Sequence, residues 1–77
     1  MTYSHALRKE IRRINDYITY RTEFLGKTNN DLKEVQRVLK GMIEKTDVCD
    51  TDRDKRLAME KTVANIRKLT YTLVGAL

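Results

Sequence analysis

Leu7, Ile11, Ile14, Ile18 and Leu25 recur at steps of four, three, four and seven. An α-helix brings that spacing onto one narrow face, broken here only by Arg21. The same period returns in Leu32, Val35, Leu39, Met42 and Ile43, and again in Met59, Val63, Ile66, Leu69, Leu73 and Leu77. No proline and only three glycines interrupt it, so the pattern predicts an all-α fold of three amphipathic helices.

Punctuation sets the bounds. Gly26 follows Phe24-Leu25 and precedes Lys27-Thr28-Asn29-Asn30, the order of a helix stop and a turn. Thr28 and Asp31 have the spacing of a capping box, and Thr51 and Asp54 repeat it. Asp50, Asp52 and Asp54 add negative charge where the amino end of a helix dipole favours it. The reading is one domain over residues 1–77 with helices at about 4–25, 29–45 and 52–76. Asp47 to Thr51 is either a turn or a kink joining the second and third helices. Short connectors make successive helices antiparallel, hence up-down-up.

A chain of 77 residues buries proportionally little apolar surface, and chains this short gain stability from disulfides, a metal, oligomerisation or very regular packing. Cys49 is the only cysteine and His5 the only histidine, which excludes an intrachain disulfide and a Cys/His zinc set. No metal or cofactor is expected. The first and third helices each extend more than roughly 30 Å at 1.5 Å per residue, beyond what the second can cover. The expectation is therefore a homodimer that completes its core through Leu7, Ile11, Ile14, Ile18, Leu25, Ile66, Leu73 and Leu77.

Three partial motifs dissolve under their own chemistry. Gly26-Lys27-Thr28 resembles the end of a phosphate-binding loop, but the glycine needed five residues earlier is Arg21 and no strand precedes it. Asp50, Asp52 and Asp54 alternate like the first ligands of a calcium loop, but Lys55 stands where its glycine belongs and Lys61 where its bidentate glutamate belongs. Cys49 and His5 are the only thiol and imidazole, expected at opposite ends of the fold, and the carboxylates around Cys49 raise a thiol pKa. No pair of carboxylates has an apolar setting suited to general acid-base work. The chain reads as a binding protein and not an enzyme.

Charge gives the positive indication. Sixteen Lys and Arg against eleven Asp and Glu leave a net charge of +5. Arg8 with Arg12, and Lys9 with Arg13, stand one turn apart, away from the apolar seam and relieved in part by Glu10 and Asp16. Tyr17, Tyr20 and Phe24 flank them, suited to stacking on unpaired bases or to a wider apolar contact. Lys61 and Lys68 share a face of the third helix, Arg56 and Arg67 lie further round, and Lys33, Arg37 and Lys40 form a stripe on the second. The leading expectation is a small basic regulator or accessory factor that binds nucleic acid, RNA or single strands ahead of duplex DNA. Arg8, Lys9, Arg12, Arg13, Lys61 and Lys68 would meet its phosphates. The alternative is a protein-interaction module, an inhibitor, antitoxin-like neutraliser or assembly adaptor, using the apolar seam and the uncharged end Leu69 to Leu77. That end is otherwise expected to be buried within the fold or a homodimer.

The uncharged run from Leu69 to Leu77 is about half the length needed to cross a bilayer. The apolar stripes contain little phenylalanine and no tryptophan, unlike a membrane-surface helix. Met1-Thr2-Tyr3-Ser4-His5 lacks the basic-then-apolar order of a secretory leader, and a lone cysteine suits a reducing compartment. The expected setting is the cytoplasm, with no membrane partner.

Overall fold

Each helix starts on a side chain that takes up an orphan amide. The Thr2 hydroxyl accepts from the His5 amide, the Asn29 side-chain carbonyl from Leu32 at 2.7 Å, and the Asp52 carboxylate from Lys55 at 3.1 Å. From these caps run α1 (Tyr3–Leu25), α2 (Asn30–Glu44) and α3 (Arg53–Gly75), with a 3-10 turn, Thr46–Asp50, between α2 and α3. The computed structural model describes residues 2–77, which are all-helical and contain no strand.

Two caps differ from the sequence expectation by one residue. Thr28 and Thr51 have the right spacing, but Asn29 and Asp52 immediately follow them and are at least as good at the position. Both adopt the extended backbone a cap requires, and Thr51 instead turns its hydroxyl to the Val48 carbonyl at 3.4 Å. Asp31 and Asp54 remain in the first turns of α2 and α3, where they favour the dipole. At the other end of α1, Gly26 takes the left-handed conformation (φ 63°, ψ 23°). Its amide donates to the Glu23 carbonyl and that of Lys27 to Thr22, both at 3.2 Å, a Schellman closure that turns the chain into α2.

Leu7, Ile11, Ile14 and Ile18 of α1 meet Leu32, Val35, Leu39 and Met42 of α2, Val63 and Val74 of α3, and Cys49 of the turn in one buried cluster. The α1 stripe thus faces the chain's own helices. Tyr3, Tyr17, Ile43, Val48, Met59, Ile66, Leu73 and Leu77 pack against its margin, so the apolar end of the chain is drawn onto this core. Leu25, the last residue of the seam, is half-buried.

With 15 residues against 23, α2 falls about 12 Å short of α1. The 3-10 turn fills that shortfall. Thr46 and Cys49 are both buried there, and the Thr46 hydroxyl donates to the Ile43 carbonyl at 2.8 Å. The length mismatch that argues for a second copy from sequence is therefore closed within the chain, in a rod measuring 41 × 19 × 16 Å. Among the described residues, no helix is long and apolar enough to cross a membrane.

Candidate nucleic-acid interface

The sequence places Lys9, Arg12 and Arg13 opposite the buried stripe, and all three are exposed along the outer ridge of α1. Among the described residues none of them forms an ion pair, because the acids nearest in sequence are turned elsewhere or stand free. Glu10, expected to relieve its own helix, instead holds Arg67 of α3 at 3.2 Å. Asp16 is exposed and joins no ion pair. Like charges one turn apart are left to solvent or to an anion.

A cleft opens on each side of this ridge. Toward α2, Arg12, Asn15, Gln36, Arg37, Lys40 and Ile43 line a space of about 550 Å³. The Gln36 amide donates to the Thr19 hydroxyl at 3.1 Å across the two helices, and Arg37 pairs with Glu34 at 3.2 Å. Three cations from two helices thus line one cleft, and among the described residues only Arg37 is paired with an acid. Toward α3, Glu10, Arg13, Ile14, Tyr17, Arg67, Thr70 and Tyr71 line a space of about 390 Å³. There the Tyr17 and Tyr71 rings meet edge to face, with centroids 5.2 Å apart and planes at 74°.

Other candidate residues have separate positions. Arg8 bends back along α1: its guanidinium donates to the Ser4 carbonyl and hydroxyl and pairs with Asp47 at 3.3 Å. It is committed within the chain, with only a third of its side chain exposed. Lys61 and Lys68 are exposed on α3 but line neither cleft, so their approach to the α1 cluster is limited to a shared field. Arg37, Lys40 and Arg67 complete the clefts instead. Sequence registers them as charges on other helices, and only the pairing of helices brings them beside Arg12 and Arg13.

Tyr20 and Phe24 stack on one another at 6.3 Å and project into solvent, with the Arg21 guanidinium 6.0 Å from the Phe24 ring. Tyr3 carries Arg56 over its ring at 4.6 Å, near the amino end of α1. The aromatic flank read as one strip is thus divided: Tyr17 joins the α3 cleft, whereas Tyr20 and Phe24 stand at the far end of α1.

The thiol and imidazole are closer in the fold than sequence suggests. Because Ser4 bonds to Asp50, His5 and Cys49 are each next in sequence to one partner of that contact. His5 nevertheless faces solvent while Cys49 is buried, and no hydrogen bond joins them among the described residues. Burial first, then the carboxylates of Asp50 and Asp52, pushes the Cys49 thiol above its ordinary pKa, and Arg56 opposes them. Among the described residues no cluster of His, Cys, Asp or Glu is arranged to hold a metal ion.

Of the residues expected at an interface between copies, Leu7, Ile11, Ile14 and Ile18 are buried in the chain's own core. Ile66 and Leu73 differ. With Val35, Val38, Leu69, Asp31 and Glu34 they line an open groove of about 390 Å³ between α2 and α3, where Val38 and Leu69 are 43% and 48% exposed. Comparison with protein-family models, curated proteins and solved structures finds no match to this chain.

Proposed function

We propose that this protein is a small non-enzymatic accessory or regulatory factor that binds nucleic acid through phosphate contacts, with RNA or another single strand ahead of duplex DNA. The observation that carries the reading is the ridge of Lys9, Arg12 and Arg13, unpaired with acids among the described residues and bordered by clefts that add Arg37 and Lys40 on one side and Arg67 on the other. A polyanion with regularly spaced charges relieves this repulsion in a way that scattered counterions do not. Lys61 and Lys68 extend the positive field from α3, and Arg8 acts as a strut for the amino end of α1. A buried, unpaired Cys49 suits a cytoplasmic setting.

The arrangement that supports this surface is up-down-up. Tyr3 beside Arg56, Glu10 beside Arg67 and Tyr17 beside Tyr71 ascend together along α1 and α3. The Thr19 to Gln36 bond and the short Gly26 turn fit an opposite direction for α2.

The test is fluorescence anisotropy with labelled single-stranded RNA and duplex DNA across a salt series. Replacing Arg12→Glu and Arg13→Glu together is expected to abolish binding while circular dichroism retains the helical signal. Retained binding by the folded double variant would overturn the assignment.

The α2/α3 groove favours a second reading, a protein-interaction module or homodimer contact. Val38, Ile66, Leu69 and Leu73 supply an apolar floor beside Asp31 and Glu34. Under this reading Leu69→Glu disrupts partner binding or lowers the solution mass measured by light scattering. Arg12→Glu alters mainly the association rate.

A further inference from the structure

The α1/α3 cleft differs chemically from its counterpart on the α2 side. Both contain cations, but only the α1/α3 cleft adds aromatic faces, a carboxylate and a buried hydroxyl. Tyr71 is 56% exposed and meets the half-buried Tyr17 edge to face, so much of its side chain stays open to solvent beside a packed ring. Arg67 and Glu10 hold one another at 3.2 Å across the helices, while Arg13 shares the rim with no bonded acid. Thr70, 1% exposed, forms part of the wall of the same cleft, and among the described residues its buried hydroxyl has no hydrogen-bond partner.

We propose that this cleft is a base-binding subsite: the Tyr71 ring stacks on one unpaired base of a single-stranded nucleic acid while Arg13 receives an adjacent phosphate. The inference rests on the nucleic-acid reading and adds a distinction between strands. Stacking on a tyrosine requires an accessible base face, which an intact duplex keeps covered by neighbouring base pairs. The Glu10 carboxylate accepts from an N–H on a base edge, and the Arg67 guanidinium donates to a base carbonyl. The cleft of about 390 Å³ falls within the range that encloses small organic ligands. Phosphates along the α1 ridge set affinity, and this subsite determines that the strand is single.

The experiment compares wild type, Tyr71→Ala and Tyr71→Phe for binding a labelled uridine dodecamer and a duplex of equal charge. Tyr71 is exposed, so its truncation leaves the core intact. Tyr71→Ala is expected to weaken single-strand binding by roughly 5- to 150-fold, with duplex binding changed by less than about twofold and Tyr71→Phe restoring wild-type affinity. Unchanged dodecamer affinity in Tyr71→Ala would overturn the subsite, and loss of binding in the Arg12→Glu/Arg13→Glu protein would then leave the phosphate reading standing. Wild-type protein that binds neither probe at low salt would overturn both.

Discussion

Asp50 accepts two hydrogen bonds from Ser4, 46 residues away in the chain: the Ser4 amide lies 2.8 Å from one carboxylate oxygen and the Ser4 hydroxyl 2.7 Å from the other. The turn that follows α2 thereby contributes a carboxylate to the first turn of α1, where free amides and the helix dipole favour negative charge. Arg8 reinforces the link by donating to the Ser4 hydroxyl at 3.1 Å and pairing with Asp47. One end of the rod is thus held by polar bonds, and the ridge of Lys9, Arg12 and Arg13 rises from that anchored turn.

This contact gives stability a sign in acid. The Ser4 hydroxyl and amide bonds, and then the Arg8 charge, hold the Asp50 carboxyl below its ordinary pKa of 3.8, with partial desolvation opposing them. A depressed folded-state pKa contributes stability that is complete above the unfolded value and is lost as pH falls through the lower folded value. Thermal melts between pH 7 and pH 2 should therefore decline below about pH 4. Asp50→Asn should melt lower than wild type at pH 7 and lose less on acidification; equal pH dependence in the two proteins would remove the carboxylate from this role.

The helices were legible because burial imposes a period: Leu7, Ile11, Ile14 and Ile18 could serve one face and no other. Their partner was not legible. A stripe on one helix fits a second copy as well as it fits α2 and α3, and the deciding element was a five-residue 3-10 turn with no periodic signature. Local spacing assigns Asp50 to the helix that follows it, because it cannot register a partner as distant as Ser4. Likewise the cations were countable, but the grouping of Arg12 with Arg37 and Lys40, and of Arg13 with Arg67, depends on helix register. Neighbouring helix starts also offered adjacent Thr and Asx residues, and a difference of one position lies below what propensity resolves.

Cys49 should be a slow thiol. It is buried, and its raised pKa leaves little thiolate at neutral pH. Reaction with a disulfide reagent at pH 7.5 is expected to require opening of the 3-10 turn and to accelerate by orders of magnitude in denaturant. Rapid stoichiometric labelling of the native protein would mean that the turn opens readily.

Two glycines should respond to alanine in opposite directions. Gly26 has φ of 63°, where a β-carbon meets the backbone, so Gly26→Ala should destabilise by about 1–2 kcal/mol despite open space around it. Gly41 lies within α2 with nothing within 4 Å of an added β-carbon. Gly41→Ala should stabilise by about 0.5–1 kcal/mol through reduced backbone freedom in the unfolded chain. Urea denaturation reads both signs.

Thr70→Val should raise stability by about 1 kcal/mol, because it replaces a buried, unpartnered hydroxyl with a methyl group of similar volume. A higher urea midpoint would show that the unpartnered hydroxyl costs the fold stability. A lower midpoint would mean that the hydroxyl has a partner in solution.

The salt dependence of binding distinguishes contact from general field. Each phosphate neutralised on a single strand contributes about 0.7 to the slope of log affinity against log salt. Arg12→Ala and Arg13→Ala should each reduce that slope by roughly this amount, since both side chains line a cleft at the exposed ridge. Lys61→Ala and Lys68→Ala, exposed on α3 outside both clefts, should weaken binding modestly at low salt and leave the slope nearly unchanged. If instead the α3 lysines carry the slope and the α1 arginines do not, the strand runs along the outside of α3, and the two clefts are not its path.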